Sequence, residues 1–150
     1  MPANITTLLS RAAREVGYTE NPPDTNRTKY GKWFLLDSVP WCGIFVSWCY
    51  AKAGMPLGNI GFSKGFAGCQ TAVAHYRRAG KVVTVPAPGD IVFFDWNKDG
   101  RYDHTGLFVR PLPNGEFETI EGNTSLGNDS NGGVVMVRRR KYGSALFVRP

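Results

Sequence analysis

The sequence predicts an α+β fold: N-terminal helices packed on a curled, six-stranded antiparallel sheet built from the C-terminal half. Two observations carry this. Before Gly80 the apolar residues recur at helical spacing, and after it they fall into short runs of period two. Those runs are separated by Gly, Pro, Asn or Asp, as strands joined by tight turns are. Helices first and strands afterwards is the segregated pattern of α+β proteins.

Each element has its own signal. Ile5, Leu8, Leu9, Ala12, Ala13 and Val16 fit one face of a helix that Gly17 stops. Residues 18–40 hold Asn21-Pro-Pro, Asn26-Arg-Thr and Tyr30-Gly, so they read as a long loop with room for one short turn. Pro40 opens a second helix, Trp41 to Ala53, and Gly54 with Met55-Pro56 closes it. That helix is apolar nearly all round, which predicts burial at the centre of the fold. A third helix is expected from Cys69 to Ala79. Strands are expected at Lys81–Val85, Ile91–Phe94, Thr105–Arg110, Phe117–Glu121, Val134–Arg139 and Ala145–Val148, in a meander.

Composition narrows the function. With 150 residues, 42% hydrophobic and 20% charged, the chain reads as one globular domain over residues 1–150. No apolar run approaches the ~20 residues of a membrane span. The first residues lack a basic stretch and an apolar stretch, so no secretory signal is expected. Eighteen Lys and Arg against twelve Asp and Glu leave a charge of +6, which suits an anionic partner: nucleic acid, membrane surface or cell wall. No recognition motif accompanies that charge, so nucleic acid is not expected. Three cysteines, Cys42, Cys49 and Cys69, make neither a disulfide framework nor a zinc pair.

The chemistry centres on Cys42. It lies in the first turn of the buried helix, where the partial positive charge of the helix end stabilises a thiolate. Cys49 falls mid-helix among aromatics and reads as core, and Cys69 has no distinguishing context. Of the two histidines, His75 looks solvated beside Arg77 and Arg78, whereas His104 opens a strand after a polar loop. A cysteine–histidine pair needs a third group to orient the imidazole. Glu121 and Asn123 face one side of their strand if it persists through Gly122, so Glu121 could accept the ring N–H and Asn123 could orient the ring or donate to an oxyanion. Tyr30 and Trp33 of the preceding loop, and Trp41 beside the thiol, are candidates for lining a substrate groove, with core packing the competing role for Trp33.

Taken together, Val39-Pro-Trp-Cys42-Gly, Pro88-Gly-Asp90-Ile-Val-Phe-Phe, Asp103-His104-Thr-Gly and Ile120-Glu121-Gly-Asn123 resemble the CHAP domain. That cysteine- and histidine-dependent amidohydrolase/peptidase family is papain-like and related to the NlpC/P60 peptidoglycan hydrolases. The resemblance spans roughly residues 15–149. It implies Cys42 as nucleophile, His104 as general base, Glu121 as orienting carboxylate and Asn123 as a fourth polar member. It implies cleavage of amide bonds in bacterial peptidoglycan, as in phage endolysins. A phage enzyme without a secretory signal would wait in the host cytoplasm and reach the wall through a holin pore. The basic run Arg138-Arg-Arg-Lys141 offers either adsorption to teichoic acids or a solvated strand edge. A monomer is expected.

A second motif precedes the histidine. From Asp95 as position 1, Asn97, Asp99 and Asp103 fall at 3, 5 and 9, Gly100 at 6, and Arg101 at 7 could offer its carbonyl. Position 12 is Gly106 rather than a bidentate Glu, and no helix follows, so this is EF-like without being an EF-hand. Alternate oxygen ligands suit Ca²⁺, and similar loops occur in some CHAP domains; an Asx-rich turn is the competing reading. Two rivals to wall lysis remain at this stage: an intracellular amidase or thiol peptidase on a soluble peptide, and a calcium-stabilised binding module whose Cys42 is merely core.

Overall fold

The computed structural model describes residues 1–150. Four helices, α1 (Ala3–Arg14), α2 (Lys29–Phe34), α3 (Cys42–Lys52) and α4 (Cys69–Arg78), precede six strands. These are β1 (Val82–Val83), β2 (Ile91–Phe94), β3 (His104–Leu112), β4 (Glu116–Thr124), β5 (Val134–Lys141) and β6 (Ala145–Val148). All strand pairs are antiparallel, so the α+β class and the six-stranded sheet are as expected.

The strand order is not the expected meander. It runs β1-β6-β2-β3-β4-β5, with the last strand inserted between the first two. Two contacts hold that return: β6 pairs with β1 and β2, and the Arg149 guanidinium bonds both oxygens of the buried Asp90 at 2.9 and 2.8 Å. Asp90 closes the Pro88-Gly-Asp turn, where Gly89 takes φ +90° and its carbonyl accepts the Tyr50 hydroxyl. A side chain there would be strained at that φ and would meet Ile5 at 3.0 Å.

Helix α2 lies inside the segment expected to be a loop. Thr28 caps it by accepting the Gly31 amide at 2.9 Å, and Leu35 ends it at φ 66°. Two short apolar turns in a polar segment give too little periodicity to be read. Helix α3 begins at Cys42, one residue later than expected, with Trp41 as its N-cap. Residues 42–50 are all buried, because α3 packs between α1 and α2 on one side and β3 and β4 on the other. The sheet is apolar on both faces. Ile91, Phe93, Leu107 and Ile120 meet the helices, while Val92, Phe94, Phe108, Phe117 and Phe147 form a second cluster on the opposite face.

Candidate active site

The first turn of α3, the start of β3 and the end of β4 meet at one place. Helix α3 has no side-chain cap at its N-terminus, so the amides of its first turn keep their donors beside the Cys42 sulfur. His104 begins β3 opposite Phe94, is fully buried, and lies between Phe94 and Trp96 on one side and Glu121 on the other. Its Nε2 is 2.9 Å from Glu121 Oε1. Its Nδ1 has no hydrogen-bond partner and is the ring nitrogen left for Cys42. Cys42 and His104 are close enough that the charge of each shifts the proton affinity of the other, without a closed hydrogen bond between them. Such bonds often tighten only once substrate is bound.

The electrostatics favour a thiolate–imidazolium pair. The Cys69 thiol, burial and His104 all act on Cys42; Cys69 and His104 outweigh burial and hold its thiol well below the ordinary 9.0. Burial pushes His104 down, but Cys42 and Glu121 more than offset it and raise its pKa to about 9. Burial pushes Glu121 up, and Arg140 and His104 reverse this, lowering its pKa to about 2. Between those limits the site holds Cys–S⁻, His–H⁺ and Glu–COO⁻, an alternating array in a water-poor setting.

The glycine of Asp103-His-Thr-Gly106 has a steric reason. A Cβ at Gly106 would lie 2.5 Å from Glu121 Cγ and 3.1 Å from the Ile120 carbonyl. The bare backbone of β3 lets the Glu121 side chain cross it on the way to His104. Gly106→Ala is therefore expected to displace the carboxylate and cut activity by about 100-fold, with circular dichroism unchanged. Full activity would mean that Glu121 is not needed where it lies.

Several expected positions differ. The β4–β5 register shifts between Glu121 and Thr124, and Asn123 takes φ 58°. Simple alternation therefore fails there. The Asn123 amide bonds Asn131 Oδ1 and the Gly133 N–H, so it fastens the 131–133 turn and makes no hydrogen bond to His104. Tyr30 and Trp41 do not line a groove. Both are fully buried and stack with centroids 5.5 Å apart; Tyr30 donates to Glu15 at 2.6 Å and Trp41 to Glu20 at 3.1 Å. Their large rings fill the space between α2 and α3. Trp33 is half-buried against the same core.

In the 95–103 loop, Asp95, Asn97 and Asp99 come together. Asp95 Oδ1 and Asn97 Oδ1 lie 3.2 and 3.4 Å from the Asp99 amide, and Asp95 Oδ2 accepts the Gly100 N–H at 2.9 Å. The Arg101 N–H holds Asp99 below the ordinary carboxylate range. Asp103 stands apart, its Oδ2 accepting from Trp96 N at 3.1 Å, and Arg101 enters only through that N–H. No three His, Cys, Asp or Glu side chains gather as a metal group anywhere in the structure. Of the five residues expected, only Asp95, Asn97 and Asp99 bring side-chain oxygens together, and those oxygens rest on the loop's own N–H groups.

Two residues at the site escaped sequence reasoning. Cys69 starts α4, whose Gln70 pins both backbone groups of Tyr102 at 2.8 and 3.0 Å; its thiol lies against Cys42 rather than serving only the core. Arg140 turns inward from the basic run to Glu121, leaving only Arg139 and Lys141 of residues 138–141 exposed. Alternation along β5 puts Arg138 and Arg140 on one face, and that was the available signal.

A cysteine at the start of a central helix, facing a histidine held by a buried carboxylate on the adjoining sheet, defines a papain-like thiol hydrolase. The CHAP domain family model matches residues 35–123, more than half of the chain, and the chain belongs to that family. That family is one of cysteine- and histidine-dependent amidohydrolases and peptidases. Among solved structures, a crystal structure from Staphylococcus aureus subsp. aureus Mu50, described as similar to lipoprotein, NLP/P60 family, matches with a TM-score of 0.45 and 13% identity. The match covers 95% of this chain, which spans 43% of that structure's length. Comparison with curated proteins gives no match.

Proposed function

We propose that the protein is an endolysin-type peptidoglycan hydrolase that cleaves amide bonds of the bacterial wall. The observation that carries the reaction class is His104, fully buried, bonded through Nε2 to Glu121 and with Nδ1 left free beside Cys42. The Cys42 thiolate attacks the amide carbonyl, and the first-turn amides of α3 stand ready for the oxyanion. The C–N bond then breaks as His104 gives its Nδ1 proton to the leaving amine. Water, deprotonated by the now neutral ring, hydrolyses the thioester and restores the pair. Family membership and the charge of +6 support an anionic wall as substrate, with teichoic acids as an accessory ligand of the exposed Arg139 and Lys141. Release from the cytoplasm of an infected host is part of this reading.

Calcium is proposed as a support of the loop before His104. Asp95, Asn97 and Asp99 would hold it, and it would supply a fixed positive charge for oxygens that now rest on the loop's own N–H groups. No bond-breaking step passes through it.

The test is turbidity clearing of purified Gram-positive walls by wild type and Cys42→Ala, each with calcium and with EDTA. Clearing by wild type alone supports the wall reading, and equal clearing by both proteins overturns the thiol mechanism. Activity and melting temperature are expected to fall in EDTA and recover with calcium; identical values in chelator remove the metal.

A further inference from the structure

Arg140 carries a full charge yet is only 7% exposed. Burying a guanidinium is expensive unless its donors are met. Here they are: Nε reaches Glu121 Oε2 at 2.9 Å, Nη2 reaches Oε1 at 2.6 Å, and Nη1 reaches Asp129 Oδ1 at 2.9 Å. The guanidinium carbon also sits 4.8 Å from the Trp96 ring centroid and 5.5 Å from that of Phe94. Those two rings are the ones stacked on His104, at 5.7 and 6.3 Å. His104 and Arg140 thus share one aromatic wall and one carboxylate.

From the side of Glu121, four donors fix the two oxygens. Oε1 takes His104 and Arg140, and Oε2 takes Arg140 and the Thr119 hydroxyl at 2.5 Å. Two of the four come from Arg140, in the two-pronged geometry that only a guanidinium offers. A fully buried carboxylate without them would take up a proton. A neutral acid no longer obliges His104 to keep its proton on Nε2, and Nδ1 then ceases to be a reliable base toward Cys42.

We infer that Arg140 is a positioning residue for the hydrolysis, holding Glu121 ionised and fixed so that His104 presents Nδ1 to Cys42. It touches no reacting atom and acts through Glu121. Arg140 lies beyond the stretch matched by the family model, residues 35–123. The inference rests on the thiol mechanism proposed above. The charged and titratable groups around the pair are Cys69 beside the sulfur with Asp103 acting on Cys69, Glu121 and Arg140 beside the ring, and Asp129 with Arg138 outside Arg140.

The experiment compares wild type with Arg140→Met and Arg140→Lys. It reads the pH dependence of Cys42 alkylation by iodoacetamide, located by peptide mass spectrometry, together with kcat and KM on wall substrate and a thermal melt. Arg140→Met is expected to raise the alkylation midpoint by at least about one pH unit and lower kcat by about 100-fold, with KM little changed. Arg140→Lys keeps the charge but cannot span both oxygens, so both readings should fall between those of wild type and Arg140→Met. Activity lost only in proportion to the unfolded fraction, with the wild-type midpoint, would mean a merely structural ion pair and overturn the inference. If Arg140→Met does not fold, Arg140→Lys decides: intermediate values support the role, and wild-type values overturn it. Cys42→Ala in the same assays separates the two ideas. If it still hydrolyses, the thiol mechanism falls; if it is inert while Arg140→Met behaves as wild type, only the role of Arg140 falls.

Discussion

Cys42→Ala is expected to lose amide hydrolysis by on the order of 10⁴-fold or more, since a nucleophile and its base act as one unit. Serine in its place should be nearly as inactive. The site stabilises a thiolate, whereas a serine hydroxyl is far less acidic and would have to be deprotonated by His104 during the attack. A second, independent consequence follows from the origin of the histidine's shift. Burial lowers the His104 pKa, while the Cys42 sulfur and Glu121 raise it. Without the sulfur, His104 should titrate lower than in wild type, which NMR of its ring Cε1–H reads directly. An unchanged His104 titration would mean that the two side chains do not interact.

How far the sequence could lead depended on what each residue answers to. Ile91–Phe94 and Ala145–Val148 were legible to the residue, because turn-forming residues bound short apolar runs on both sides. The placing of Ala145–Val148 between the first two strands was not, since periodicity says which residues are strand but not which strand is the neighbour. Cys42, His104 and Glu121 could be proposed as partners from helix-start and strand-end positions, and the structure brings them together. Asn123 could not be placed, because a register shift and a left-handed backbone send its amide to the 131–133 turn. Tyr30 and Trp41 failed for a different reason: an aromatic next to a nucleophile reads alike whether it lines a groove or fills a core, and only burial separates the two. Arg140 was hidden in a run that looked like solvated charge. Its meaning depends on Glu121, nineteen residues earlier in the chain and on another strand.

Glu121→Gln is expected to cost both activity and stability, and pH can tell the two apart. The variant keeps the shape but replaces one acceptor with an amide N–H₂. Either His104 or Arg140 must then face a donor where it now meets an oxygen. Loss of the carboxylate that orients a catalytic histidine costs about 10⁴-fold in a related arrangement, and a comparable drop in kcat is expected here. Arg140 stays buried with only the half-exposed Asp129 as counter-ion, and breaking one side of a buried pair costs about 3–5 kcal/mol. In wild type the Glu121 pKa lies at about 2 against an ordinary 4.5, so its contribution is fully present above pH 4.5 and fades as pH falls toward 2. His104 works in the opposite sense. Its pKa is raised from 6.5 to about 9, so its contribution is complete below pH 6.5 and is lost as pH rises through 9. Cys42 works against that loss: its thiol, held well below its ordinary 9.0, contributes stability that grows as pH rises toward 9. Between pH 6.5 and 9 the two largely cancel, so wild-type melting temperature should climb with pH from about 2 and level off above pH 6.5. Glu121→Gln removes the group responsible for the acid limb below pH 4.5, so its curve should start lower and be flatter there. A parallel downward shift, with that limb kept, would show that the charge on Glu121 contributes nothing to the stability.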